Sequence, residues 1–381
     1  MRDRSFLHWP FFEPKHEGFA AALDGFLSCH PEVSKDRERS RADTDTQVKT
    51  WVINLAANGF LNACTELDVR TLCIARETLA YHDGLADFAF AMQGLGSGPI
   101  TLFGTQDQRE RFLPPVTAGK SIMAFALSER EAGSDVAAIT TQAVRDGDEY
   151  VIDGEKTWIS NAGIADVYVV FARTAENGAK GLSAFIVPSK TRGVSVTQRI
   201  ETISPHPLGT LQFENCRIPA QQRLGEEGQG FKIAMATLDV FRATVGAAAV
   251  GFARRALDES AAHVRERQLF GAPLAALQLT QAKVAHMATE IDASALLVYR
   301  AAYVKDRGAQ RVTREAAMAK WFATETASRA ADAAVQLFGG RGVTRGEMVE
   351  RIYRDVRALR IYEGASEVQQ VVIARSVLEE R

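Results

Sequence analysis

Near its C-terminus the chain reads Arg360-Ile361-Tyr362-Glu363-Gly364-Ala365-Ser366-Glu367. One carboxylate stands directly before a glycine, after a basic, helix-rich stretch. A glutamate can act as a general base when it sits within hydrogen-bond reach of the proton it takes. A Glu-Gly pair alone is a weak signal, since such residues more often start a surface helix. Its weight comes from the segments that accompany it.

Four other segments carry residue types suited to binding or chemistry. In Phe125-Ala126-Leu127-Ser128-Glu129-Arg130-Glu131-Ala132-Gly133-Ser134-Asp135 a strand runs into a Gly-Ser-Asp turn, whose hydroxyl and N–H groups can donate to polar ring atoms or a phosphate. Gly154-Glu155-Lys156-Thr157-Trp158-Ile159-Ser160-Asn161 places a tryptophan in a strand. Core packing is the plain reading of that tryptophan; covering one face of a planar cofactor is the other. Arg265-Glu266-Arg267-Gln268-Leu269-Phe270-Gly271, followed by Gln278, offers Arg267 as a pyrophosphate clamp or a solvated helix residue. Val335-Gln336-Leu337-Phe338-Gly339-Gly340 is a helix end whose glycines permit close approach to a ligand.

The elements that must position these groups fall into three textures. Residues 1–121 read as helices, with helical spacing over 47–61 and 70–79 and a capping box at Thr105-Gln106-Asp107-Gln108. Residues 122–229 read as a β-domain. Asp153-Gly154 marks a two-residue hairpin turn, and 167–171 and 182–187 are further strands. The glycine-rich run 224–230 closes it. Residues 230–381 return to long Ala-rich helices over 244–262, 278–303 and 314–338, the last ended by Gly339-Gly340. Helices, strands, helices in that order exclude a doubly wound βαβ fold and predict an α+β, mainly α chain: an N-terminal helical domain, a central β-barrel or sandwich, and a C-terminal four-helix bundle.

Bulk properties narrow the classes. The chain has 381 residues, 24% charged, and a net charge of −2. Nothing in that balance forms the basic footprint of a nucleic-acid binder, no uninterrupted apolar run predicts a membrane span, and no group of residues reads as a metal site. The N-terminus reads as charged sequence rather than a signal core. Cys29, Cys64, Cys73 and Cys216 form no Cys-x-x-Cys pair and read as free thiols in a reducing cytoplasm.

Taken in order, the Gly-Ser-Asp turn, Lys-x-Trp-Ile-Ser-Asn, Leu-Gly-x-x-Gly-x-Gly-Phe, Arg-x-x-Phe-Gly, Gln-x-Phe-Gly-Gly and Ile-Tyr-Glu-Gly resemble the acyl-CoA dehydrogenase family of flavoproteins, over about residues 45 to 378. The resemblance implies FAD lined by Phe125, Leu127, Ser128, Gly133 and Ser134, with Trp158, Ile159 and Ser160 on one ring face. Arg267 and Gln278 would reach its phosphate and adenosine groups, with Gln336, Gly339, Gly340, Ala365 and Glu367 in the same cleft. Ser134, Asp239, Arg242, Tyr362 and Gly364 would meet the acyl-CoA.

The activity so implied is α,β-dehydrogenation to the trans-2-enoyl-CoA. Glu363 would take the α-proton, hydride would pass from Cβ to flavin N5, and the Glu363 N–H with a ribityl hydroxyl would bind the thioester oxygen. Some relatives carry the base before the arginine matched by Arg242; here that position is Phe241, expected to wall the acyl pocket. Electrons would pass to an electron-transfer flavoprotein, from a homotetramer or a dimer. Departures from the family pattern are Arg130 for a proline, Ala365 for a threonine, and the loop 204–209 with His206, read as a loop histidine. Gly94, Gly96 and Gly98 match a region at the far end of the acyl pocket, where they either leave room for a branched or cyclic acyl group or serve as turns, the favoured reading; Asp83 and Asp87 lie nearby, in a region where some relatives acting on alicyclic acyl-CoAs use an aspartate. A flavin monooxygenase or oxidase on the same scaffold, and a non-catalytic flavin-binding relative, are the alternatives.

Overall fold

The computed structural model describes residues 3–29, 41–176 and 178–379, so Met1 and Arg2 of the N-terminal reading lie outside the described residues. The helices are α1 (Pro14–Ser28), α2 (Arg41–Ala57), α3 (Ala63–Glu66), α4 (Val69–His82), α5 (Gly84–Phe103) and α6 (Gln106–Thr117). Eight strands follow: β1 (Met123–Ala126), β2 (Gln142–Asp146), β3 (Glu149–Ser160), β4 (Val167–Arg173), β5 (Leu182–Pro188), β6 (Val194–Arg199), β7 (Leu208–Pro219) and β8 (Arg223–Leu224). Then come α7 (Gly230–Glu266), the short β9 (Gln268–Leu269) and β10 (Ala272–Pro273), α8 (Gln278–Asp306), α9 (Thr313–Phe338), α10 (Met348–Arg357) and α11 (Ser366–Glu379). The helix–strand–helix order expected from the sequence is the order found. The described chain forms two compact units, 39–67 with 88–238, and 1–38 with 68–87 and 239–381.

The first unit is built on one eight-stranded sheet in the order β6-β7-β3-β2-β4-β5-β8, with β1 added parallel to β4. β4 and β5 are apolar almost throughout and buried, as strands covered on both faces should be. The hairpin turn lies at Gly147-Asp148, not at Asp153-Gly154: Asp146 pairs with Glu149, and Gly147 has φ +62°. β3 runs on through Gly154, which takes φ +142° at a register shift against β7. A Cβ there would lie 2.7 Å from Thr141 Cα. Both Asp-Gly pairs carry turn chemistry, and the partner strand decides which one turns and which one bulges.

The glycines at 94, 96 and 98 are also not turns; they lie inside α5. A Cβ on Gly96 would sit 2.5 Å from Met123 Cβ, so this glycine lets α5 pack directly on β1. Gln93 closes the same seam, donating to Ser121 O (2.8 Å) and accepting from Met123 N–H (3.0 Å). The capping box forms as expected, with reciprocal bonds between Thr105 and Gln108.

The second unit packs helices on helices. α9 lies against α8, α10 and α11, and α4 against α1 and α8. Its alanines 316, 317, 319, 323, 327, 330, 331 and 334 are buried, and Gly339 at φ +61° ends it. Charges inside this unit are paired: Glu77 accepts from Arg254 Nε (3.1 Å) and Tyr299 Oη (2.6 Å), and Arg70 Nε donates to Asp306 (2.8 Å). Among the described residues, α7 is long and apolar enough to cross a membrane, but 83% of its apolar window is buried inside the protein, where it serves as core.

One buried ion pair anchors the turn after β1. Lys156, with no exposed surface, donates to Glu129 Oε1 (2.8 Å) and Leu127 O (3.0 Å). Burial pushes the Lys156 ammonium down to about 8, against the pull of Glu129. Burial would raise Glu129, but Lys156 and donors from Thr140 and Thr141 outweigh it and hold the carboxyl at about 2. Glu129 therefore stabilises the fold fully above its ordinary pKa of 4.5, and this contribution is lost as pH falls toward 2. Lys156→Met leaves a buried carboxylate without its cation, and a loss of about 3–5 kcal/mol in urea unfolding is expected. An unchanged midpoint would mean the pair contributes nothing.

Candidate active site

Glu363 lies between the single turn Ala358–Arg360 and α11, on backbone that does not suit it. Its φ is +52° and that of Gly364 is +94°. A non-glycine residue in the left-handed region carries strain of about 1–3 kcal/mol and persists only when its surroundings hold it. Here three side chains do so. Lys320 Nζ donates to Gly364 O (2.7 Å), Gln369 Nε2 to Gly364 O (3.0 Å), and Arg242 Nε to Glu363 O (3.3 Å). Lys320 and Gln369 have no exposed surface. Arg242 is set in turn by Asp239 Oδ1 (3.2 Å), whose other oxygen accepts from the Thr313 hydroxyl (2.6 Å). Glu325 ties the turn to α11 by accepting from Arg360 Nε (2.8 Å) and Ser366 Oγ (2.6 Å).

The carboxylate itself is left unspent. Glu363 is half-buried, and its Oε2 is closed off from solvent with no hydrogen-bond partner among the described residues. Burial raises its pKa above the usual carboxylate value, opposed in order by Arg76, Lys320 and Arg242. Burial also brings Lys320 down to about 8, with Glu363 pulling the other way. Among the described residues the Glu363 N–H meets no backbone carbonyl. A base with a raised pKa, a rigid mount and an adjacent open N–H can take a proton beside a carbonyl whose oxygen that N–H receives.

A second buried set adjoins it. Arg76 on α4 forms a two-point bond to Asp87 on α5, with Nε to Oδ1 at 2.8 Å and Nη2 to Oδ2 at 2.7 Å. Its Nη1 donates to Thr244 Oγ1 on α7 (3.2 Å). Burial drives the Tyr362 hydroxyl well above its ordinary pKa, although Arg76 lies against it and lowers it. Asp83 is used otherwise: it accepts from Arg351 Nη2 (2.8 Å) and from the Leu85 and Ala86 N–H groups. Phe241 is buried.

The remaining candidates gather in two places. In the sheet unit, the Thr157 N–H donates to Ser128 O (3.0 Å), which brings the Ser128 turn beside Trp158. Trp158 is not core: it is 59% exposed and held at φ +60°. Ser128 and Ser160 are half-buried, and Gly133 and Ser134 exposed, with open space where a Cβ on Gly133 would point. Leu127 and Ile159 have their side chains buried, and Phe125 stacks at a tilt on Phe171 (4.8 Å), so the first two could line a ligand only with backbone. In the helical unit, Arg267 and Gln278 flank the β9–β10 hairpin, exposed. His263 stacks on Phe338 (4.1 Å) and its carbonyl accepts from the Arg267 N–H, which sets Arg267 near exposed Gln336, Gly339 and Gly340. Ala365 is half-buried and Glu367 exposed. An aromatic ring presented outward on strained backbone, beside hydroxyls and an open glycine turn, fits a flat polar-edged cofactor.

Other details resolve as follows. Arg130 is largely solvated, 3.7 Å from Glu155. His206 packs on Phe88 (4.7 Å), has Nδ1 2.8 Å from Ser204 O, and is lowered by burial. Arg76, Lys320 and Gln369 were not singled out in the sequence. A cation inside an otherwise apolar helical face was the available signal for the first two.

Family models for the acyl-CoA dehydrogenase N-terminal, middle and C-terminal domains match residues 16–120, 124–216 and 228–378. The chain is 37% identical to a 3-(aryl)acrylate reductase of Clostridium sporogenes, over 97% of this chain and all of the relative. It is 40% identical to a cyclohexane-1-carbonyl-CoA dehydrogenase of Geobacter metallireducens, over 81% and 82%. Butyryl-CoA dehydrogenase from Megasphaera elsdenii superposes with a TM-score of 0.88 at 32% identity, covering 96% of this chain and 99% of that one. Three domain models in sequence order, and similarity spanning whole relatives, show that this chain belongs to the acyl-CoA dehydrogenase family and is an oxidoreductase.

Proposed function

We propose that this enzyme oxidises an acyl-CoA thioester across Cα–Cβ to the trans-2-enoyl-CoA, with Glu363 as the base. The observation that carries this reading is the Glu363 Oε2 atom: a buried carboxylate oxygen without a hydrogen-bond partner among the described residues, on a turn fixed by three side chains. In the sheet unit Ser128, Ser134, Trp158 and Ser160 would hold FAD; in the helical unit Arg267, Gln278 and Gln336 to Gly340 would meet FAD phosphate and adenosine groups, those of a neighbouring copy included. When bound, FAD supplies the acceptor for the hydride that leaves Cβ.

The chain's own residues do the rest. Glu363 accepts the α-proton, and its N–H donates to the thioester oxygen as negative charge develops there. Arg76, Lys320 and Arg242 favour the ionised carboxylate while burial disfavours it, and burial wins, which leaves a base stronger than a solvated glutamate. Asp239 and Arg242, which border the turn, would meet the acyl-CoA. An electron-transfer flavoprotein is the proposed electron acceptor. Phe270 at 89% exposure and Leu279 at 81% support association of copies of this chain through that region. The Clostridium relative, named as a reductase, favours one further reading: the same glutamate can return a proton to Cα when the reaction runs toward the saturated acid.

Two outcomes test the assignment. Glu363→Gln should keep bound yellow flavin and ligand affinity but slow anaerobic reduction by acyl-CoA roughly 10²–10⁴-fold or more, the span general bases contribute. Near-normal reduction would remove Glu363 from the role, and rapid oxygen-dependent reoxidation of the reduced wild type would favour an oxidase. The rate should fall as pH drops through the raised pKa of Glu363. Lys320→Met removes a cation that holds this pKa down, so the acid limb should move to higher pH. A limb that stays in place would show that Lys320 only packs.

A further inference from the structure

The Arg76–Asp87 pair is expensive to keep where it is, and apart from its charge acting on Glu363 nothing in the proposed oxidation of a plain alkyl chain uses it. Arg76 and Asp87 are each 3% exposed and Thr244 is fully buried. Breaking a buried pair is costly, but replacing it with apolar side chains of similar volume is often neutral or favourable. The helices α4, α5 and α7 could therefore be joined here by hydrocarbon, as they are along most of their buried faces. A polar set in that place also works against an alkyl tail, because burying alkyl groups against a charged pair forfeits hydration without offering a partner.

We propose that Arg76, Asp87 and Thr244 form a specificity subsite, and that the acyl group this enzyme takes carries a neutral oxygen function, a hydroxyl or an oxo group, beyond Cβ. The inference rests on the reading of Glu363 as the base and deepens it. Three observations carry it. The set stands beside the base: Thr244, which accepts from Arg76, lies two residues after Arg242, which donates to Glu363 O (3.3 Å), and the Arg76 charge acts on both Tyr362 and Glu363. It is also deeper than the groups that would meet CoA. Thr244 has no exposed surface whereas the Asp239 side chain, on the same helix, keeps 15%, so the bulky charged end of the thioester belongs at Asp239 and the acyl end at Thr244.

Finally, the set offers both donor and acceptor capacity. A guanidinium has five N–H groups and a carboxylate about four acceptor sites. Asp87 and Thr244 take three of the N–H groups, and Arg76 uses two of the carboxylate sites. A hydroxyl or a carbonyl can be added to such a pair. A carboxylate tail is disfavoured, because Asp87 already neutralises Arg76 and Glu363 lies close by. Arg76 and Asp87 are specificity-determining residues here, not catalytic ones.

The test is anaerobic reduction of the holoenzyme by matched acyl-CoAs: straight-chain or cyclohexyl acyl-CoAs, the same skeletons with a hydroxyl or oxo group beyond Cβ, and a dicarboxylic mono-CoA of equal length. The oxygenated neutral substrates should show at least tenfold higher kcat/KM than their hydrocarbon counterparts, about 1.4 kcal/mol of discrimination. In Arg76→Leu/Asp87→Leu that ratio should fall to near one or invert, whatever the loss of these charges beside Glu363 does to the rate with both classes of substrate. Should the double variant not fold, Thr244→Val provides a smaller loss of the same ratio with the pair intact. Equal use of hydrocarbon and oxygenated chains by the wild type, or preference for the dicarboxylic one, overturns the proposal and leaves the dehydrogenase reading standing. Reduction by no acyl-CoA at all would instead overturn that reading.

Discussion

The site depends on holding a glutamate in a backbone conformation that glutamate avoids. Two consecutive peptide carbonyls, those of Glu363 and Gly364, are gripped by Lys320, Gln369 and Arg242 from α9, α11 and α7. Without those donors the turn could relax to negative φ, and the side chain would swing away from the place where it is buried. The strain is local and modest, and the packing of three helices sustains it. The same donors supply charge: after Arg76, Lys320 and Arg242 lower the pKa of a carboxylate that burial raises.

Charge economy runs through both units in a similar way. Glu129 with Lys156, Glu77 with Arg254 and Tyr299, and Arg76 with Asp87 are each a buried acid met by a base at hydrogen-bonding distance. In such pairs the acceptor is satisfied. Glu363 differs because its Oε2 has no hydrogen-bond partner among the described residues, although cations act on it from outside contact. That contrast separates a carboxylate that holds structure from one that is available to a proton.

Trp158 makes the corresponding point for the sheet. An indole of this size normally fills a core, yet here it stands out on a strand at positive φ, next to Ser128. Glycine would relieve that backbone and solvent would be kinder to a smaller side chain. A flat ligand lying on the ring explains both features, and family membership gives that ligand its chemistry.

Much was legible in the linear chain. Helical and strand periodicity, the Thr105 box and the Gly339 stop predicted the element order, and the six ordered motifs pointed to the family and to Glu363. Local signals failed where a distant partner decides. Asp153-Gly154 looks like a turn but lies opposite Thr141 and β7 and becomes a bulge; Gly94, Gly96 and Gly98 look like breakers but lie inside α5, where Gly96 lets the helix pack on β1. The clamp of Lys320, Gln369 and Arg242, and the meeting of Arg76 with Asp87 and Thr244, join residues from separate helices. Residue types and local spacing determine which elements can form and which side chains can do chemistry. Which of those side chains lose water together, and so acquire shifted pKa values and partners, is decided only when the helices pack, because burial is a property of the neighbours and not of the residue.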